Sequence, residues 1–246
     1  MHSTVQRAGF ALGREGQRLV DDGSSERLRC ASVLKPLVFW AARRLAPLER
    51  DPGRWQRLAA AAVTISANGP TDEVWEACGP REILGALEEL SGVRFGLEPG
   101  GRHPFGRVLV TSGEVARAYA ALAASREPEA LQLLGWMLEV PGAQTFGVRP
   151  VVAGVLGVPP EAVAVKAGWF CDEDEERIRT HLVTVTRTSA GVIGTVALTA
   201  VPFESSQRRD YTAADRAGSE VIDWHERAAG ETLRQATEDA ARRIVN

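Results

Sequence analysis

Ser32 and Lys35 stand three residues apart in the stretch Cys30-Ala31-Ser32-Val33-Leu34-Lys35-Pro36-Leu37-Val38-Phe39-Trp40. Residues at that spacing share a helix face, so a helix opening here sets an amine beside a hydroxyl. A serine becomes a useful nucleophile when a neighbouring base can take its proton. Pro36 is tolerated in a first helical turn, where a missing N–H costs no helical hydrogen bond. Composition sharpens the pairing. The chain has 29 Lys plus Arg, of which only two, Lys35 and Lys166, are Lys. Arginine stays protonated at any working pH, whereas a lysine amine can be tuned to lose its proton. Two lysines kept in so arginine-biased a chain mark two positions that need an amine. The plainer alternative is that both are solvated cations.

Two more short patterns follow in order. Ser66-Ala67-Asn68 lies just before a Gly-Pro helix break, and Lys166-Ala167-Gly168 ends a strand-like run. Each is common by itself. Their order and local contexts are informative, and both lysines of the chain fall within the set. The elements that must position them read as follows. Residues 8–30 form two short strands around Gly13-Arg14-Glu15-Gly16, and residues 32–46 form the opening helix. Asp51-Pro52-Gly53 is a turn before a helix carrying Trp55, Leu58 and residues 59–63. Thr71-Asp72-Glu73 starts another helix, its acids favourable at the positive end, and Pro80 opens a third. Residues 92–110, rich in Gly and Pro, read as a long loop of the kind that is often functional. Helices follow at 112–124, 128–139 and, interrupted by Pro150, 145–157. Val163-Ala164-Val165 is strand-like, and 179–186 and 192–201 form an antiparallel pair. The acidic run 172–176 reads as a solvated turn, and the tail from Thr212 as one long helix with a break near Gly230.

Strands at both ends with helices between predict an α+β fold, its antiparallel sheet assembled from both termini. The expected organisation is one domain over 1–246. Its α/β lobe takes 1–46 and 160–246, and its helical lobe 47–159. A net charge of −3 gives no broad basic footprint for nucleic acid. No apolar stretch reaches membrane-spanning length, and the N-terminus lacks a signal-peptide pattern, so a cytoplasmic protein is expected. Cys30, Cys78 and Cys171 lack metal-ligand or disulfide spacing. Neither metal nor cofactor is expected.

On Ser32-x-x-Lys35, Ser66-x-Asn68 and Lys166-Ala167-Gly168, the chain resembles the serine β-lactamase and penicillin-binding-protein superfamily. The similarity is strongest to class A β-lactamases. Residues 60–68, Leu134-Gly135-Trp136-Met137 and Val165-Lys166-Ala167-Gly168-Trp169 carry it further, over most of residues 8–203. It implies a β-lactamase/transpeptidase-like fold with an all-helical lobe. It also implies an acyl-enzyme on Ser32, with Lys35 as base, Ser66 passing the proton to the leaving group, and Lys166 supporting Ser66. Asn68, Ala167, Gly168 and Trp169 would bind substrate, with the Ser32 and Trp169 N–H groups as oxyanion donors. Arg177, Arg179 and His181 alternate along the next strand, where related enzymes place an Arg for a substrate carboxylate; a solvent-facing stripe is the alternative.

The sequence also departs from the pattern. Ala67 and Ala167 replace the family's Asp and Thr, and the first two motifs are only 34 residues apart. The Glu-x-x-Leu-Asn loop that activates the deacylating water is incomplete. Glu98 is the candidate remnant of its base, with an exposed loop acid as the plainer reading. His103 is a second candidate base, or a surface residue. The resemblance implies a small amide, lactam or ester as substrate, with a carboxylate; the lack of a visible export signal and the incomplete loop point to an enzyme of secondary metabolism such as antibiotic biosynthesis. An acyltransferase using a non-water acceptor, or a non-catalytic binding member of the fold, are the alternatives.

Overall fold

The structure, a computed structural model, describes residues 3–100, 103–172, 176–203 and 220–246. Alternating apolar residues set the first hairpin, β1 (Thr4–Gly13) and β2 (Gly16–Asp21), paired to its end at Gly13 opposite Gly16. The two-residue strand β3 (Leu28–Arg29) leads into a 3₁₀ turn at Ala31–Leu34 and α1 (Lys35–Ala42). The opening helix expected over 32–46 is therefore divided, with α2 (Ala46–Glu49) following separately. Asp51, expected in a turn, caps α3 (Pro52–Thr64) by accepting from the Arg54 N–H. Next come α4 (Gly69–Cys78) and α5 (Pro80–Ser91).

The segment 92–110 is not a bare loop. β4 (Gly96–Leu97) and β5 (Val108–Val110) lie within it, and β5 pairs with both β3 and β4. A full capping box between Thr111 and Glu114 opens α6 (Ser112–Ala124), and α7 is Pro128–Leu138. α8 (Val148–Leu156) tolerates Pro150 because its first turn has no helical partner for that N–H. The strands β6 (Val163–Asp172), β7 (Arg177–Thr188) and β8 (Gly191–Pro202) follow, then α9 (Glu220–Val245). α9 runs unbroken through Gly230, contrary to the break expected there; residues 212–219 lie outside the described residues.

The main sheet has the order β2-β1-β8-β7-β6, with every neighbour antiparallel. Both chain ends thus build one α+β sheet, as the distribution of strands predicts. Alternation divides its side chains between two layers. Val163, Val165, Ala167 and Leu182 pack with α8 and α9 residues such as Val152 and Leu233. Ala164, Val183, Val196 and Leu198 pack toward the helices α1, α3 and α5–α7. No described helix is long and apolar enough to cross a membrane.

A chain of ions ties the sheet to the segment around the first motif. Asp172, at the end of β6, is buried and pairs with Arg29 of β3 and with Arg179 of β7. Arg29 also pairs with Glu98, which in turn pairs with Arg107. Asp172 is therefore a buried anchor, not part of a solvated turn as its acidic neighbours suggested; residues 173–175 lie outside the described residues. Removing one partner of a buried ion pair leaves an uncompensated charge and costs about 3–5 kcal/mol. Asp172→Ala, which takes the buried carboxylate from both Arg29 and Arg179, is expected to lower unfolding stability by about that amount. Urea denaturation measures it, and a midpoint unchanged from wild type would contradict this role.

Candidate active site

The Ser32 turn is held from several sides. The Lys35 N–H donates to the Ser32 carbonyl, an i to i+3 bond that brings the two side chains nearly into line. The buried Tyr119 hydroxyl of α6 donates to Val33 O at 2.6 Å. His181 donates from Nε2 to Arg29 O at 2.8 Å and accepts the Thr199 N–H on Nδ1 at 3.1 Å. Ala31 sits at φ +51°, a left-handed conformation unusual for a residue with a Cβ. Such strain persists only where the surroundings over-determine it, and it gathers at functional turns.

The two lysines converge on one serine. Lys35 is completely buried, and its Nζ donates to Ser66 O at 2.5 Å, Ala67 O at 3.0 Å and Asn68 Oδ1 at 2.8 Å. Lys166, also buried, donates to Ser66 Oγ at 2.8 Å. Ser66 is thus held through its carbonyl by one amine and through its hydroxyl by the other. Its φ of +59° is the second left-handed, non-glycine conformation in the site. Because Lys35 has only donors to offer, the bond to Asn68 fixes which end of that amide is oxygen and leaves its NH₂ for another partner.

Burial also tunes the amines. Desolvation lowers the pKa of Lys35 to about 7, against the opposing attraction of Asp72 and, less, Cys30. Lys166 is pushed well below the usual lysine range, first by desolvation and then by the charge of Lys35. The hydrogen bonds add a constraint. Three oxygen acceptors match the three protons of an ammonium. Among the described residues, no hydrogen bond joins Lys35 Nζ to Ser32 Oγ. This arrangement accordingly suits an ammonium, and a lone pair appears on Nζ only when one proton leaves.

The edge strand β6 closes the other side. A Cβ placed on Gly168 would lie 2.4 Å from Ser32 N and 2.8 Å from Val33 N, so only glycine lets the strand approach the turn. That approach puts the unpaired edge of β6 beside the Ser32 backbone. Trp169, half-buried, packs edge-on against Phe146 with ring centroids 5.9 Å apart.

The other expected site residues are elsewhere. Ala167 turns its side chain into the core beneath α8 and α9, so it offers substrate only backbone. The expectation that Arg179 and His181 contact substrate needs correction. Arg179 is buried against Asp172, and His181 is fully buried with both ring nitrogens on backbone groups. Burial lowers the His181 pKa to about 4, so it is a neutral prop beneath Arg29. Arg177 donates to Thr4 Oγ1 at 3.1 Å and lies near Glu26. The alternation reading did put the three on one face, but His181 on that face lies under the segment leading into the Ser32 turn. Glu98 belongs to the ion chain, held by Arg29 at 2.7 Å and Arg107 at 3.3 Å. No motif pointed to Phe105, whose ring centroid lies 5.2 Å from Lys35 Nζ.

Solved structures share this architecture. A β-lactamase from a halotolerant bacterium is 12% identical, with a TM-score of 0.65, over 99% of this chain and 95% of its own. The chromosome-encoded β-lactamase of Vibrio parahaemolyticus is 13% identical, with a TM-score of 0.61, over 96% and 91%. A variant of the class A β-lactamase of the last common ancestor of Gram-negative bacteria is 18% identical, with a TM-score of 0.57, over 95% and 94%. The chain has the serine β-lactamase fold. No protein-family model and no curated protein matches it in sequence. Within this β-lactamase-like fold, Gly168 is the sharpest steric requirement. Gly168→Ala is expected to preserve folding but to reduce Ser32 labelling by a fluorophosphonate at least tenfold. Intact-protein mass spectrometry reads the labelling; a wild-type rate would show that the close approach is not needed.

Proposed function

We propose that the protein is a serine hydrolase that forms an acyl-enzyme on Ser32 from a small amide, lactam or ester. The observation that carries this reading is the convergence of both buried lysines on Ser66, next to a nucleophile turn closed by Gly168. Purely structural lysines gain nothing from desolvation that drives their protons off.

The roles follow from the atoms. Deprotonated Lys35 takes the Ser32 proton as Oγ attacks the carbonyl carbon. The Ser66 hydroxyl, oriented by Lys166, gives its proton to the leaving group and is reprotonated from solvent through Lys166, so the proton taken from Ser32 stays on Lys35. The Ser32 and Trp169 N–H groups stabilise the oxyanion; loss of one such donor typically costs about 3–4 kcal/mol. The Asn68 NH₂ holds a substrate amide oxygen. Two amines at the floor of the site favour a substrate bearing a carboxylate. The lobes given above for residues 1–46 with 160–246 and for 47–159 would form one domain with this site at their junction. A non-water acceptor, making the protein an acyltransferase, is favoured by one observation: Glu98, the candidate water-activating acid, is held by two arginines.

Lys35 sets the pH dependence. Its folded-state pKa is lowered, so the base form appears as pH rises through about 7. The acylation rate with an activated ester is expected to rise across that window and then level off. Lys35→Arg, which cannot deprotonate at these pH values, is expected to lose the rise and at least 100-fold in rate. Ser32→Ala is expected to abolish the covalent adduct. A wild-type protein that gives no Ser32 adduct with penicillin, fluorophosphonate or activated ester would leave only the non-catalytic, ligand-binding reading.

A further inference from the structure

Glu98 and Arg107 are joined twice: the Glu98 N–H donates to Arg107 O at 3.3 Å, and the two side chains pair. Just before Arg107 the chain is pressed onto the Ser32 turn. Phe105 O accepts from Cys30 Sγ at 3.3 Å, and a Cβ on Gly106 would lie 3.8 Å from the Ala31 Cα. His103 stands beside them, its Nδ1 2.7 Å from Asp72 Oδ2. Asp72 lies in the first turn of α4, four residues after Asn68, and its charge acts on Lys35. The Phe105 ring bridges the rest of the gap, 5.9 Å from the His103 ring and 5.2 Å from Lys35 Nζ.

From this geometry, and resting on the acyl-enzyme reading above, we infer that His103, oriented by Asp72, is the catalytic base of the release step. A carboxylate accepts only, so Asp72 draws the imidazole proton to Nδ1 and leaves Nε2 with its lone pair. The imidazole is one-third exposed, open to water or to an alcohol or amine acceptor. Nε2 takes the proton of the acceptor X–H as X bonds to the ester carbon of acyl-Ser32. The tetrahedral intermediate collapses with cleavage of the C–Oγ bond. Ser32 Oγ takes a proton from the Lys35 ammonium. The His103 proton passes to solvent, from which Ser66 is reprotonated through Lys166, so the cycle closes without any other reactant. Lys35, charged by the proton it took from Ser32, is an ammonium at this step, and an ammonium cannot itself act as base. A second group must do so, and Glu98 is occupied.

The test separates the two half-reactions. Wild type, His103→Ala and His103→Gln are acylated with p-nitrophenyl acetate, and the acyl-enzyme is followed by intact mass with water, then with added hydroxylamine. Circular dichroism verifies folding. Both variants are expected to show a wild-type acylation burst and a release step slowed by about 10²–10⁴-fold. Added imidazole is expected to restore release in His103→Ala but not in His103→Gln, whose side chain fills the gap. Release at the wild-type rate in both variants overturns the role of His103 while leaving acylation of Ser32 standing. A wild-type acyl-enzyme that neither water nor hydroxylamine discharges overturns it as well. Absence of any acyl-Ser32 in wild type overturns both readings.

Discussion

Two amines buried around one serine are the constraint on which the rest of the site depends. A buried ammonium is costly unless hydrogen bonds replace its water. For Lys35 those bonds come from three consecutive residues, Ser66, Ala67 and Asn68. They can reach one nitrogen only because the chain leaves α3 abruptly and Ser66 takes a left-handed backbone conformation. The break between α3 and α4 is thus the coordination shell of an amine. Lys166 adds the hydroxyl end, so the position of Ser66 is set by the α1 side and the β6 side together. Anything that separates those two elements loosens the serine between them.

The same requirement explains the packing behind the turn. Lys35 and Lys166 converge only if β6 approaches the segment before α1 closely, which is why position 168 has no side chain. The ion chain Arg179–Asp172–Arg29–Glu98–Arg107 fastens that approach from the opposite end of the strand and carries the loop with it. His181 and Tyr119 hold backbone carbonyls of the same short segment. Polar groups that look like ligands in the sequence are in this way spent on fixing a turn whose Ala31 backbone is itself strained.

That division marks where the sequence was readable. The strands at both ends, the order of the sheet's source segments and the helices at 112–124 and 128–138 follow from period and punctuation, which are local. Ser32, Lys35, Ser66, Asn68 and Lys166 were legible because residue type, order and the scarcity of lysine all pointed the same way. Arg179 and His181 were not. Alternation gave their common face but could not say whether solvent, substrate or another strand covers it, and β3 does so through Arg29. Asp172 looked solvated because its neighbours in sequence are acidic, yet its partners are 143 residues earlier and seven later. The 31 residues separating Asp72 from His103 hid their contact in the same way.

In the proposed reaction, the protonation of Lys35 links acylation of Ser32 to release of the acyl group. To activate Ser32 the amine must be neutral, and desolvation makes that state accessible near pH 7. To hold Ser66, Ala67 and Asn68 all at once it must be charged, since a neutral amine has only two protons for three acceptors. Acylation itself converts one state into the other, because the proton taken from Ser32 turns the amine into the ammonium that completes the three bonds. The acyl-enzyme is then the state in which the second motif is held most firmly and Lys35 is least able to act as a base. On the proposed reading, a chain built this way would acylate with one base and need a different one for release. The groups around His103, and not the lysines, would then decide how long the acyl group stays and what nucleophile removes it.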